Sequence, residues 1–262
     1  MKKTILVSLS ILLLISCKES TEKTDYANEE LNVTTTVYPE TISKVFKAHG
    51  GIDGWNTMQS LYFEIEKEGQ NEQTTTDLKS RKSIIDAATF LIGNDGTDVW
   101  LMEKDTATYK GNARFYHNLM FYFYAMPFIV GDDGINYELV DSLEYDGKEY
   151  PGIKISYEAG IGDSSEDEYI LYYDADTHKM AWLAYTVTFY SKEKSPNFKL
   201  IRYSNWQTIE GLQLPSTLNW HVYTDGVIGN VRSEVNFVNV TLSKDSPTNT
   251  LFAKPKDAKI IE

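Results

Sequence analysis

The sequence predicts a mainly β (α+β) fold of consecutive antiparallel strands, and three observations carry that prediction. Apolar residues recur at period two, as in 61–68 (LYFEIEKE) and 169–173 (YILYY), the spacing of a half-buried strand. Turn signals stand between such runs at Asp95-Gly96, Asp146-Gly147, 174–177, Glu210-Gly211 and Asp225-Gly226, where a hairpin reverses the chain. The regular strand–helix alternation that a parallel sheet requires is missing, as are the GxGxxG and P-loop patterns.

Taken in order, residues 1–16 read as a lipoprotein signal peptide. Met1-Lys2-Lys3 is a basic head, and the apolar run 5–15 is about half the ~20 residues of a membrane span. It closes on Leu14-Ile15-Ser16-Cys17, which resembles the bacterial lipobox. That resemblance implies a diacylglycerol on the Cys17 thiol, cleavage before Cys17 and acylation of the new amine. Each buried CH₂ of such chains contributes about 0.8 kcal/mol, enough for durable anchoring by several chains together.

Residues 17–38 are then the lipidated N-terminus and a flexible tether, rich in Thr and Glu and short of core residues; a coil of this length spans about 25 Å. Lys18-Glu19 resembles outer-membrane and surface-sorting signals. The expected location is therefore the cell envelope, lipid-anchored at the outer membrane, on its periplasmic face or at the cell surface. Loss of Lys2 and Lys3 takes the net charge from −13 to −15. Scattered basic residues on so acidic a chain exclude nucleic acid as a partner. A single cysteine excludes an intramolecular disulfide.

Residues 39–262 read as one β-rich domain, without an internal linker or repeat. Pro39, Ile42, Val45, Phe46 and His49 have helical spacing up to Gly50-Gly51, and His49 is expected to end that helix as a cation facing its dipole. The stretch 180–190 places Leu183, Tyr185, Val187 and Phe189 on one strand face, with Trp182, Ala184, Thr186 and Thr188 on the other. In 231–242 the apolar parity switches between Phe237 and Val238, which a β-bulge accommodates.

Residues 113–128 (ARFYHNLMFYFYAMPF) are too apolar on all sides for a surface helix. Such a helix is a core plug in a curved sheet, a lid over a hydrophobic pocket, or a membrane-facing patch. Phe115, Leu119, Tyr122 and Met126, at i, i+4, i+7 and i+11, form its candidate ligand-facing row. The charged tail 254–262 is expected to fray.

Catalytic signatures are sparse. His49, His117, His178 and His221 are widely spaced and form no zinc motif. No GxSxG elbow is present, and the SxxK at 191–194 recurs at 20–23 in the tether. The acidic stretches 132–133 and 162–168 read as solvated turns, with a weak cation site as the alternative. Asp105-Thr106-Ala107 and Asp141-Ser142-Leu143 match a short glycosylation pattern. No catalytic residue, metal or cofactor is assigned.

Several stretches together resemble an uncharacterised family of Gram-negative envelope lipoproteins: Ala48-His49-Gly50-Gly51 with Trp55, Met126-Pro127-Phe128, 167–173 (DEYILYY), and 202–206 (RYSNW) closing on Gly211 and Leu214-Pro215. That family is similar to the LolA/LolB superfamily. The resemblance implies a curved antiparallel sheet, an incomplete β-barrel with one or two helices on its concave side, and a cavity for acyl chains. Two function classes follow. One is a non-catalytic module binding a lipid or other hydrophobic small molecule. The other is a structural or interaction lipoprotein with a packed core, its protein partner unspecified; an envelope hydrolase stands third.

Overall fold

The computed structural model describes residues 37–104, 106–157 and 166–262. Pro39, which has no N–H to leave unsatisfied, precedes α1 (Glu40–Ala48), whose Ile42, Val45 and Phe46 face inward. Gly50 and Gly51, at φ 102° and 93°, end it. A Cβ on Gly50 would lie 2.4 Å from the Gly211 carbonyl oxygen, so this turn also needs the close backbone approach that glycine permits. One further turn, α2 (Ile52–Asn56), buries Trp55.

Strands β1 (Ser60–Ile65), β2 (Glu72–Asp77), β3 (Ser83–Asp86), β4 (Phe90–Asn94) and β5 (Val99–Glu103) follow, then three short helices, α3 (Ala113–Tyr116), α4 (Leu119–Tyr124) and α5 (Met126–Ile129). The remainder is β6 (Ile135–Tyr145), β7 (Lys148–Tyr157), β8 (Tyr169–Tyr173), β9 (Met180–Tyr185), β10 (Lys199–Ile209), β11 (Leu212–Thr224), β12 (Val227–Ser243) and β13 (Lys259–Ile261).

The thirteen strands among the described residues form one unclosed sheet in the order β13-β5-β4-β3-β2-β1-β12-β11-β10-β9-β8-β7-β6, and every recorded pairing is antiparallel. Two meanders, β1–β5 and β6–β12, share the β1–β12 seam. Turn chemistry drives both. Asp146-Gly147, Glu210-Gly211 and Asp225-Gly226 take positive φ at both positions (53° and 73°, 50° and 79°, 51° and 80°), matching the twist of the strands they join. At the seam Tyr62 faces Thr241 but Glu64 faces Val238. Phe63 thus stands opposite two residues, with Asn239 at φ 52°, and this bulge produces the parity switch in 231–242.

Curvature follows from the contacts of two adjacent residues. The Tyr124 ring lies 4.9 Å from Phe63 and 4.3 Å from Phe237. Phe123 lies 4.8 Å from Tyr185 and 5.8 Å from Trp220, and its carbonyl accepts from the Tyr203 hydroxyl at 2.6 Å. These partners come from β1, β12, β9, β11 and β10, five consecutive strands that would span about 19 Å if flat. Only a sheet wrapped around the helical segment brings them all to α4. Both faces of β9 are buried: Leu183 and Tyr185 join the concave core, while Trp182 and Ala184 join an outer cluster with Tyr150, Tyr172 and Leu200.

Three expectations are corrected. Residues 113–128 form three helices rather than one. Asn112 caps the first by accepting from Phe115 N–H at 3.0 Å, and the last break precedes Pro127, which has no N–H and disfavours helical backbone in the residue before it. The tail does not fray: Lys259–Ile261 pairs with β5, held by the buried Phe252, whose carbonyl accepts from Trp100 Nε1 at 3.1 Å. The strand within 180–190 ends at Tyr185, where Thr188 turns to Asp167 instead. Cys17, the signal peptide, almost all of the tether and Asp105 lie outside the described residues.

Phe128 is fully buried and stacked on Trp55 with ring centroids 4.7 Å apart. Phe128→Ala is expected to cost about 3–5 kcal/mol in urea unfolding. A loss below about 1 kcal/mol would show that this end of the segment is not structural.

Candidate functional site beneath the crossover segment

Strands β5 and β6 are joined by residues 104–134 yet lie towards opposite margins of the sheet. The connecting chain must therefore cross the concave face, which explains its apolar character on every side. Its C-terminal half is firmly held. Besides the Tyr203 bond, Tyr137 donates to the Val130 carbonyl at 2.5 Å and Tyr38 to the Gly131 carbonyl at 2.7 Å. Arg81 Nη2 bonds to both Asp132 oxygens at 2.7 and 2.6 Å. From Phe123 to Val130 every residue is buried.

The N-terminal half rides higher. Phe115 packs at the rim against Phe189 (5.2 Å) and Tyr190 (5.6 Å), and Tyr190 is 67% exposed. Leu119 and Tyr122 are half-buried on the core, while Met126 is only 1% exposed within it. The row expected for one continuous helix is thus divided. Phe115 sits at the rim, Leu119 and Tyr122 on α4, and Met126 in the floor.

Sequence reasoning missed the other wall. Strand β2 (EQTTTD) turns Glu72, Thr74 and Thr76 inward, and Ser83 of β3 is buried beside them. Burial raises the Glu72 carboxyl above its ordinary value, opposed by the Tyr116 hydroxyl donating to it at 2.8 Å. Thr74 Oγ1, Thr76 Oγ1 and Arg81 Nη1 are buried without a hydrogen-bond partner among the described residues. Thr76, Arg81, Asn118, Phe121 and Tyr122 line a cavity of about 40 Å³. The alternating burial of β2 had no counterpart in its sequence, because EQTTTD is polar at every position.

His49 also differs from expectation. It ends α1 fully buried, where desolvation lowers its pKa to about 4, against the opposing pull of its bond to Val45. Nδ1 lies 2.8 Å from the Val45 carbonyl, and Nε2 accepts from Met180 N–H at 3.4 Å. This is a neutral ring that ties α1 to β9, not a cation at a helix dipole. Asp133 is exposed as expected of a solvated turn, whereas Asp132 pairs with Arg81, Asp167 is buried and accepts from Thr188, and Glu168 pairs with Lys154 at 2.7 Å; residues 162–165 lie outside the described residues. Among the described residues no group of three or more His, Cys, Asp or Glu is placed to hold a metal, and no helix is long and apolar enough to cross a membrane.

No protein-family model matches the chain, and no curated protein matches it in sequence. Solved structures are similar in architecture. A DUF1329 family protein from Desulfovibrio piger is 15% identical over 81% of this chain and 95% of its own, with a TM-score of 0.49. A LolA superfamily protein from Nitrosomonas europaea is 12% identical over 84% and 99%, with a TM-score of 0.48. A domain from Vibrio parahaemolyticus, named for outer membrane lipoprotein sorting, is 7% identical over 71% and 84%, with a TM-score of 0.36. The described residues form a curved, unclosed antiparallel sheet with few helices, the fold class expected from the sequence.

A histidine whose folded-state pKa lies below its unfolded value of 6.5 stabilises the fold fully above pH 6.5, and that contribution is lost as pH falls towards 4. Between pH 7 and pH 5 the His49 contribution is about 2 kcal/mol. Urea unfolding at the two pH values is expected to show this slope in the wild type and its loss in His49→Gln. Equal slopes would refute the neutral-ring assignment.

Proposed function

We propose that this protein is an envelope lipoprotein, anchored through acylated Cys17, that holds an acyl chain or other hydrophobic molecule under the crossover segment without catalysing a reaction on it. The observation that supports this reading is the unequal anchoring of the segment. Residues 123–132 are bonded to β10, β6 and the β2–β3 turn, whereas on the N-terminal side Tyr116 bonds to Glu72, and Phe115 meets half-buried Phe189 and exposed Tyr190 at the rim. A segment pinned at both ends, by Tyr116 to Glu72 on one side and by the Tyr203, Tyr137 and Asp132 bonds on the other, but with aromatic side chains at the rim, is suited to lift locally at Phe115 as a lid. Phe115, Leu119 and Tyr122 would then be its ligand-facing side and Met126 its buried foot.

The anchor and tether would set the domain at the outer membrane, and the net negative charge would hold its body away from anionic headgroups. A second reading, a structural or interaction lipoprotein with a packed core, is favoured by the complete burial of 123–130.

Cysteines replacing Phe115 and Tyr190, once their disulfide is shown by the mobility of the oxidised chain, lock the rim. Uptake of the apolar fluorophore N-phenyl-1-naphthylamine by the full chain in detergent is expected to fall at least about tenfold on oxidation and to return on reduction. Uptake indifferent to oxidation would remove the lid. No uptake by the wild type, together with lipid-free organic extracts after incubation with envelope lipids, would favour the packed-core reading.

A further inference from the structure

The inward face of β2 is anomalous. Its neighbour β1 presents Leu61, Phe63 and Ile65 to the same interior, whereas β2 presents a carboxyl and two threonine hydroxyls. A buried hydroxyl without a partner costs about 1–3 kcal/mol, and unpartnered groups gathered in one place indicate a missing hydrogen-bonding partner. We propose that the cavity between β2–β4 and α4 binds the carboxyl group of an acyl chain, with Arg81 Nη1 and Thr76 Oγ1 as donors. This inference rests on the acyl-binding reading above and names where the polar end of that ligand lies.

Arg81 is held ready for the task. Its Nη2 is committed to both oxygens of Asp132, its guanidinium carbon lies 5.3 Å from the centre of the Phe121 ring, and its backbone is at φ 60°. Nη1 of a guanidinium fixed in this way is preorganised to donate. Thr76, 1% exposed, lines the same space. Ser83 Oγ is already directed at the His117 carbonyl, 3.4 Å away.

Size selects the group. A water needs about 10–15 Å³ of such space, so 40 Å³ holds about three heavy atoms, a carboxyl rather than a five-atom phosphate. Charge selects the end of the strip. Glu72 lies four residues along β2, about 13 Å away, and its carboxyl excludes an acid there, whereas the Arg81 end also has the Lys79 ammonium nearby, bonded to the Asn56 carbonyl at 2.6 Å. Because Asp132 already balances Arg81, the shared requirement is an acceptor oxygen, which a free fatty acid and an acyl ester both supply. Phe121 and Tyr122 of α4 would carry the chain away from the cavity.

The test is displacement of N-phenyl-1-naphthylamine from the full chain by dodecanoate, methyl dodecanoate and dodecane. In the wild type the better of acid and ester is expected to displace at least about tenfold more strongly than dodecane, the effect of one charge-assisted hydrogen bond. An advantage confined to dodecanoate identifies a free acid, and an equal advantage for the methyl ester an esterified chain. Thr76→Val is expected to remove most of the preference with dodecane displacement unchanged, and Arg81→Gln to remove it while also altering dodecane displacement, because Asp132 loses its partner. Thr76→Val keeps side-chain shape and the Arg81–Asp132 pair, so it remains informative if Arg81→Gln fails to fold. Equal displacement by all three probes, or a preference that survives Thr76→Val, overturns the carboxyl site and leaves acyl binding standing. Failure of the fluorophore to bind at all removes both readings.

Discussion

The connection from β5 to β6 is the constraint on which the rest of the structure depends. Two strands consecutive along the chain lie towards opposite margins of a thirteen-stranded sheet, so the linking chain has to cross the face between them. Crossing in the interior requires apolar side chains on every side and internally satisfied backbone groups, which short helices supply. The sheet in turn must wrap around that segment to bury it, as the contacts of Phe123 and Tyr124 with five consecutive strands record. Topology, curvature and the composition of 113–128 are thus three consequences of one connection.

The two meanders treat that segment differently. Strands β8–β12 meet it with aromatic and aliphatic side chains, and β9 is buried on both faces. Behind them the outer cluster seats the Arg202 guanidinium 4.6 Å from the Trp182 ring centre, with the Tyr145 and Tyr150 rings also in reach, a cation held by ring faces. Strands β2 and β3 instead meet the segment with Glu72, Thr74, Thr76 and Ser83. The polar strip of β2 stands within an interior otherwise apolar on both sides, including Phe63 of β1 against Tyr124 and Ile85, Ile92 and Val99 around Ala113.

Legibility differed residue by residue, for physical reasons. The hairpin turns were plain because Asp-Gly and Glu-Gly pairs are among the few that accept left-handed backbone at two consecutive positions. The bulge beside Asn239 showed itself as a parity error, since one extra residue exchanges the faces of a strand. The inward side of β2 gave no such signal, because threonine is at home on either face of a strand. His49 was misread because helical position suggested a cation, whereas burial against Val45, Met180 and Trp206 decides its charge. The tail was misread because its charged residues mask the short strand that pairs beside Trp100.

By itself the sequence determined the strand period, the turn positions and the presence of an all-round apolar segment, since each is a property of neighbours in the chain. Only the tertiary structure decided that β5 and β6 lie far apart, that the apolar segment breaks into three helices, and that Arg81, Thr76 and α4 meet around a small cavity. Those outcomes depend on pairings between residues remote in sequence, such as Arg81 with Asp132 and β1 with β12. Such pairings are selected by the burial of the whole sheet, which no local stretch of sequence encodes.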